Sequence, residues 1–390
     1  MLPDLAWRAR TGFAALIEAL GGPGEARLVG GAVRDGLLGL AVSDIDVATR
    51  LLPEAVIERL TAAGIKAVPT GIAHGTVTAV TEGGPVEVTT LRRDVATDGR
   101  HATVAFSDDW REDASRRDFT INALYADPVT GEVFDWFGGL ADLDARRVRF
   151  IGDPLTRIAE DHLRILRFFR FHARFGRGAP DADALAACTA RANDLMALSR
   201  ERIAAELLKL LAAENPVPVV DLMIAGGILK PVLPEVTDTV SLARLVVREG
   251  DAGIGGDPVR RLAALIGPDT ALATAIGGRL KLSNHYVRRL VCAASRAAGR
   301  PDALAYRYGI EGAVDLILLG DNSIDAVEAL DGWHRPQLPF GGGELIARGL
   351  TPGPVVAMTL GKIEARWVEA GFPVGPAFEA IVADELSRAN

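Results

Sequence analysis

The pattern of apolar residues changes once along this chain, near Pro154, and that change constrains the fold more than any single motif. Before it, short β-rich runs alternate with helical ones; from Pro154 onward helical spacing recurs to the C-terminus with no β-rich run. The first part therefore reads as an α+β unit and the remainder as all-helical. The chain has 390 residues, 49% of them hydrophobic, enough for two to four packed units. We divide it at 1–150, 151–215 and 216–390.

Within the α+β part, Leu2 to Leu20 has apolar residues, Leu5 and Phe13 among them, at helical spacing up to the stop at Gly21-Gly22-Pro23-Gly24. Leu28-Val29 ends a strand, Gly30-Gly31 makes a tight turn, and Ala32 to Leu38 forms a helix whose first N–H groups can hold an anion such as a triphosphate. Then comes Ser43-Asp44-Ile45-Asp46-Val47. On a strand, Asp44 and Asp46 leave one face while Ile45 and Val47 anchor the other. Two such carboxylates suit Mg²⁺, an oxygen-seeking ion that serves phosphoryl transfer.

Pro53 to Ala63 reads as a helix, and Thr76–Thr81 with Pro85–Leu91 as a hairpin turned at Gly83-Gly84. Glu87 in that hairpin is either a third carboxylate for the Asp pair or a solvated edge residue. The polar run from Leu91 to Phe106 reads as a mobile loop. Asp108 to Ser115 makes a short helix. Arg116-Arg117-Asp118, with Asn122, then sets charges and an amide beside a β-like apolar run, a costly cluster unless it binds something.

In the helical part, the stretch 144–177 carries nine arginines against four acids. Asp161, Arg164, Arg167 and Arg170, spaced by three, form one stripe on a helix; like charges so spaced repel, which points to an anionic or polar ligand. Ser199 caps a helix on which Arg202 and Glu206 make an i,i+4 pair. A second basic run, 279–300, has six Lys or Arg and no acid, and is a candidate RNA-backbone contact. Net charge is −8, so a nucleic-acid partner must be met by such local patches. Two cysteines far apart in sequence, Cys188 and Cys292, argue against a disulfide framework or a cysteine zinc site. With no apolar run long enough to span a bilayer and no signal peptide, a soluble cytoplasmic protein is expected, without membrane or obligate protein partner.

Four motifs in order, GGAVRD with DID at 30–46, RRDFTINAL at 116–124, EDHLR at 160–164 and SRERIAAEL at 199–207, resemble those of the class II bacterial tRNA nucleotidyltransferases, the CCA-adding enzymes, in the polymerase-β-like superfamily. The resemblance covers roughly residues 25–210. It implies an α+β head with a mixed sheet and flanking helices, followed by all-α neck, body and tail domains along which a tRNA acceptor arm lies. It also implies Mg²⁺ on Asp44 and Asp46, nucleotide phosphates at Gly31 and Arg34, the nucleotide near its sugar and phosphates at Arg117, the base at Asp161 and Arg164, and further nucleotide contacts at Arg167 and Arg170. The substrates implied are CTP, ATP and tRNA.

Cytosine and adenine each present an amino donor beside a ring-nitrogen acceptor, whereas uracil and guanine present a carbonyl beside an N–H. An ionised Asp161 only accepts and Arg164 only donates, so the pair suits C and A and leaves like-type groups facing each other with U or G. A poly(A) polymerase would share these motifs, but its Gly-Arg-Arg-Phe element is replaced here by Gly71-Ile72-Ala73-His74-Gly75-Thr76. An enzyme adding only the final A remains an alternative, as does, at longer odds, a catalytically silent RNA-binding protein. No histidine is followed by Asp, so no fused phosphohydrolase is expected.

Overall fold

The computed structural model describes residues 1–3, 6–42, 44–97 and 102–389. The chain divides into two compact units, Met1–Pro234 and Glu235–Asn390.

The first unit holds every strand among the described residues. In chain order these are β1 (Ala26–Val29), β2 (Asp46–Thr49), β3 (Lys66–Gly71), β4 (Thr76–Thr81), β5 (Gly84–Thr90), β6 (Arg92–Thr97), β7 (Ala102–Phe106), β8 (Tyr125–Ala126) and β9 (Val133–Phe134). Seven form one sheet in the order β3-β4-β5-β2-β1-β8-β9, and β6 pairs with β7 separately. The large sheet is mixed: β2 and β5 run parallel while the other neighbours are antiparallel. The run 91–106, expected as a mobile loop, thus contains an antiparallel ladder from Arg92↔Phe106 to Thr97↔Ala102. Its ends are anchored, since Leu91 N–H donates to Thr49 O and Ser107 N–H to Leu91 O. The ladder is defined by backbone hydrogen bonds, which the polar, charged composition of its first strand does not announce. Residues 98–101 of that run lie outside the described residues.

The helix expected over Leu2–Leu20 is shorter, α1 (Phe13–Ala19), preceded by a 3₁₀ turn at Ala6–Ala9. Leu5, expected on its apolar face, lies outside the described residues. The break falls at Gly12, which has a left-handed φ of 83°, and beside it the Thr11 carbonyl accepts a hydrogen bond from Gly83 N–H in the β4–β5 turn. A continuous helix would leave that carbonyl committed to its own ladder. Next come α2 (Gly31–Leu37) and α3 (Pro53–Ala62), which begins with proline at its first turn. Leu16 and Leu20 near α1, and Val56 and Leu60 of α3, are buried, as are Val77 and Val88 of the sheet they pack upon. Val29, Ala48, Leu91, Trp110, Ala123 and Tyr125 build a second core cluster.

The remaining helices of this unit are α4 (Trp110–Ser115), α5 (Gly139–Asp144), α6 (Pro154–Glu160), α7 (Arg164–Phe175), α8 (Ala182–Ala190), α9 (Arg200–Leu211) and α10 (Val217–Ala225). On α7 the apolar stripe Ile165, Leu166, Phe168 and Phe169 is buried. Aromatic packing fixes α7 against the segment after α4: Phe119 lies 4.9 Å from Phe150 and 5.3 Å from Phe171, centroid to centroid, and Phe150 stacks on Phe168.

In the second unit every named element is a helix, from α11 (Val240–Asp251), α12 (Pro258–Ile266), α13 (Thr270–Arg279), α14 (Asn284–Ser295) and α15 (Pro301–Leu319) to the final helix Pro376–Ala389. Buried ion pairs run through its centre. Glu249 accepts from Nε of both Arg260 and Arg261 at 2.8 Å, and Arg289 grips the fully buried Asp315 through Nε at 2.6 Å and Nη2 at 2.9 Å. No described helix is long and apolar enough to cross a membrane. Cys188 is buried, Cys292 half-buried, and both are free thiols.

Candidate active site

The turn that links β1 to α2 opens the site. Gly30, with φ 67°, donates its N–H to Leu124 O and caps α2. A Cβ there would lie 3.3 Å from Arg117 Nη1, so glycine serves both the left-handed backbone and the close approach of that guanidinium. One strand away, Asp46 starts β2 directly opposite Glu87 of β5 in parallel register. Parallel partners point to the same face, and the two like charges interact. Burial, then Glu87, then Asp44 push the Asp46 carboxyl above the usual carboxylate range, against a pull from Arg117. Asp44 itself is exposed and precedes the strand rather than alternating within it.

Opposite this face stands the segment after α4. Arg117 donates from Nε to the Tyr125 hydroxyl at 3.0 Å and from Nη2 to Asp113 at 3.2 Å. Burial alone would lower its pKa, but the Tyr125 phenol and Asp113 carboxylate outweigh burial and hold the guanidinium charged. Asp113 also accepts the Arg92 N–H at 3.1 Å, which ties the base of the β6–β7 ladder to Arg117. Asp118 accepts from Asn122 Nδ2 at 2.9 Å, Phe119 N–H at 2.8 Å and Arg167 Nε at 2.7 Å. Burial disfavours its charge, yet Arg167 and these donors dominate, holding its pKa down at about 2. Asn122 in turn accepts from Arg34, whose Nε donates to Asp35 at 2.7 Å.

The third wall comes from α6, α7 and α9. The expected single stripe is broken: Asp161 has extended backbone (φ −149°, ψ 108°) between α6 and α7, and its Oδ1 accepts the Leu163 N–H at 3.1 Å, a side-chain turn that starts α7. Arg164 donates from Nη1 to Glu160 at 2.5 Å and to Arg157 O at 2.9 Å, and from Nη2 to Arg116 O at 3.1 Å. Arg157 meanwhile holds the Arg116 and Arg117 carbonyls at 2.5 and 2.7 Å. Ser199 does cap α9, accepting from Arg202 N–H. The expected Arg202–Glu206 pair is replaced by longer-range ones: Arg202 Nη2 donates to both oxygens of Asp161 at 3.2 and 3.0 Å, and Glu206 faces Arg170 at 2.7 Å and Arg167 at 3.9 Å. Helix α9 is a brace for α7, because tertiary partners offer less exposed, better-aligned charges than a surface pair on one helix.

These walls enclose a cavity of about 430 Å³ lined by Gly31, Arg34, Asp46, Arg117, Asp161, Arg164 and Arg167 among others. Asp44 does not line it, although Asp46 feels its charge, and Arg170 lines a neighbouring cavity instead. Asp113, Tyr125 and Arg157 escaped sequence reasoning as individual partners. The i,i+4 spacing of Asp113 and Arg117 and the i,i+3 spacing of Arg157 and Glu160 hint at local pairs, whereas the contacts of Arg157 with backbone carbonyls leave no mark in sequence. Part of the 279–300 run is taken up inside the fold: Arg289 is buried among carboxylates, Arg279 pairs with Glu235, and Arg296 donates to the Ala263 and Ala293 carbonyls, whereas Lys281 and Arg288 are exposed.

A glycine turn beside a carboxylate strand, faced by arginines from a following helical layer, defines a nucleotide-transferring head domain. Residues 26–149 match the model of the Poly A polymerase head domain, and 179–239 that of the probable RNA and SrmB-binding site of polymerase A. The chain is 33% identical to the mitochondrial CCA tRNA nucleotidyltransferase 1 of Mus musculus, over 89% of this chain and 84% of that one. It is 32% identical to the CCA-adding enzyme of Levilactobacillus brevis, over 92% and 94%. The crystal structure of the Bacillus stearothermophilus CCA-adding enzyme in complex with CTP superposes with a TM-score of 0.80, at 28% identity and 99% coverage of both chains. The chain belongs to the family of CCA tRNA nucleotidyltransferases, the CCA-adding enzymes.

Proposed function

We propose that this chain builds or repairs the 3′-terminal CCA of tRNA from CTP and ATP without a nucleic-acid template. The observation that carries this reading is one cavity holding both a carboxylate for phosphoryl transfer, Asp46, and a carboxylate–guanidinium pair for base reading, Asp161 and Arg164. An enzyme that copied a template would take its base pattern from the template; here the protein supplies it.

Asp44 and Asp46 would hold Mg²⁺. The fit rests on the charge balance: Asp46 is pushed toward neutrality by burial, Glu87 and Asp44, so a cation there relieves a cost already present. Among the described residues no three His, Cys, Asp or Glu side chains are placed to hold a metal by themselves. That suits Mg²⁺, which keeps waters and binds through one or two carboxylates plus substrate phosphates. When bound, it supplies charge stabilisation at the transferring phosphate.

The protein's own residues do the rest. Gly31 and Arg34 receive the triphosphate, and Arg117, kept charged by Asp113 and Tyr125, lies by the sugar and phosphates. Asp161, oriented by Arg202, accepts from the amino group of C or A while Arg164 donates to the ring nitrogen. Arg167 braces Asp118 and completes the wall. The RNA 3′-hydroxyl then attacks the α-phosphate in line, an O3′–P bond forms, and pyrophosphate leaves. We assign the head to 1–150, the neck to 151–215 and the body and tail to 216–390, and place the enzyme in the cytoplasm, a reading supported by its free thiols.

The test is incorporation on tRNA transcripts ending before CCA, after C and after CC, each with CTP, ATP or both. Growth that stops after one complete CCA is expected. Extension of the CC-ended tRNA alone would make this an A-adding enzyme, and long A tails a poly(A) polymerase.

A further inference from the structure

A guanidinium carries its N–H groups in a rigid planar fork, so the partners on one edge decide where the other edge points. Arg117 donates from Nε to the Tyr125 hydroxyl at 3.0 Å and from Nη2 to Asp113 Oδ2 at 3.2 Å. The same Oδ2 accepts the Tyr125 O–H, which closes a triangle of hydrogen bonds. Nη1 lies on the far edge. It approaches the Gly30 turn so closely that a Cβ there would stand 3.3 Å from it, and among the described residues it has no hydrogen-bond acceptor. That edge fronts the catalytic cavity, which Gly30, Gly31 and Arg117 line together.

Asp113 by itself would not produce this pose. Arginine and carboxylate favour two parallel N–H···O bonds, and a side-on pair would take both Nε and Nη2. Here Tyr125 occupies Nε, so Asp113 receives only Nη2, while its Oδ1 accepts the Arg92 N–H at 3.1 Å. The hydroxyl is a wedge, accepting from one group and donating to the other, between partners that would otherwise close on each other. Its position is over-determined. The Tyr125 ring is fully buried, with Trp110 and Trp136 edge-on at 5.8 and 5.4 Å and the Arg117 guanidinium carbon 5.2 Å from its centroid. Along the backbone Tyr125 pairs with Val29, and Gly30 N–H donates to Leu124 O at 3.1 Å. The side chain that aims Arg117 and the turn at which it aims therefore hang on one ladder, at a spacing set by sheet register.

We propose, on the reading of this chain as a nucleotide-adding enzyme, that Tyr125 is a positioning residue: its hydroxyl keeps Arg117 out of a bidentate pair with Asp113 and turns Nη1 toward the triphosphate at the Gly30-Gly31 turn. Phenylalanine at 125 fills the same space and keeps the ring packing, but it frees Nε for Asp113, and the fork then turns away from the turn. The triphosphate is common to CTP and ATP, so both substrates depend on the hydroxyl equally.

The test compares full-length wild type with Tyr125→Phe by calorimetric titration of ATP, CTP and tripolyphosphate, and by incorporation of A on a tRNA ending in CC. Roughly tenfold weaker binding of all three ligands is expected, with the same factor in KM for ATP, kcat kept within about twofold, and tRNA affinity and melting temperature unchanged. If ATP is weakened and tripolyphosphate is not, Arg117 serves the sugar and the proposed aim of Nη1 is overturned. Asp113→Asn/Tyr125→Phe removes the carboxylate that would capture Arg117 and should bind ATP more tightly than Tyr125→Phe; a double variant that binds no more tightly overturns the wedge. A lower melting temperature with unchanged KM would make Tyr125 a core residue only. The titrations need no turnover, so failure of the wild type to add CCA would sink the functional reading, whereas unchanged ATP and tripolyphosphate binding in Tyr125→Phe would sink the positioning role alone.

Discussion

Two arginine-rich stretches look alike in sequence and do opposite work in the structure. Around 144–177, six guanidinium groups, Arg146, Arg164, Arg167, Arg170, Arg174 and Arg177, reach the walls of two cavities, although several of them also pair with carboxylates, such as Arg164 with Glu160 and Arg167 with Asp118. Around 279–300, Arg289 is sealed against Asp315 and Asp257, and Arg296 donates to carbonyls inside its own unit. The difference lies in acids elsewhere in the chain. Asp257 and Asp315 meet the second run in three dimensions, while most acids near the first are held by Arg157, Arg164, Arg167 and Arg202 as a frame for an unfilled space. A count of charges along a window therefore cannot distinguish a binding surface from an internal staple.

The sharpest way to break this comparison is to remove a group from each region and read both activity and stability. Asp46→Ala, facing the first cluster, should lower the rate of nucleotide incorporation by about 10⁴-fold or more, about 5 kcal/mol in the barrier, while tRNA binding and the melting temperature hold. Retained turnover in a single-turnover assay would remove Asp46 from the chemistry. Arg289→Ala should do the reverse. It leaves the wholly buried Asp315 with only the longer Arg260 contact at 3.3 Å, so unfolding by urea should show a loss of about 3 kcal/mol with kcat kept at temperatures where the variant is folded. If kcat falls and stability does not, the second run belongs to the working surface after all.

A smaller effect sharpens the first region alone. Asp118 has its carboxyl held from an ordinary 3.8 down to about 2 by Arg167, Asn122 and the Phe119 N–H, against the pull of burial. A carboxylate depressed in the folded state stabilises above its unfolded pKa and loses that contribution as pH falls through the folded one. Stability from this group should thus be present at neutral pH and vanish between about pH 4 and pH 2, a change of about 2 kcal/mol. Asp118→Asn should remove that part of the acid dependence in melts recorded across the window. An unchanged acid limb would show that the Arg167 contact does not persist in solution.

How much could be read without coordinates differs by element. The turn and strands around Gly30, Asp46 and Glu87 were legible because glycine, alternation and hairpin signals act over a few residues. The broken helix at Gly12 was not, since its cause is a hydrogen bond from Gly83 in a distant turn. The ladder at 92–106 was hidden by its polar, charged composition, which reads as loop.

Local chemistry in the sequence by itself determined the α+β-to-helical order, the carboxylate strand and the residue types that read a base, because propensity, period and donor–acceptor pattern are properties of neighbours in the chain. Tertiary structure alone decided that Asp161 would leave the helix, that Arg202 and Glu206 would turn away from each other to brace Asp161 and Arg170, and that Arg170 would face the second cavity. The Arg202–Asp161 and Glu206–Arg170 pairings are settled by which charge, across more than thirty residues of chain, lies within reach once the core has packed, and Coulomb attraction depends on distance in space, not along the chain.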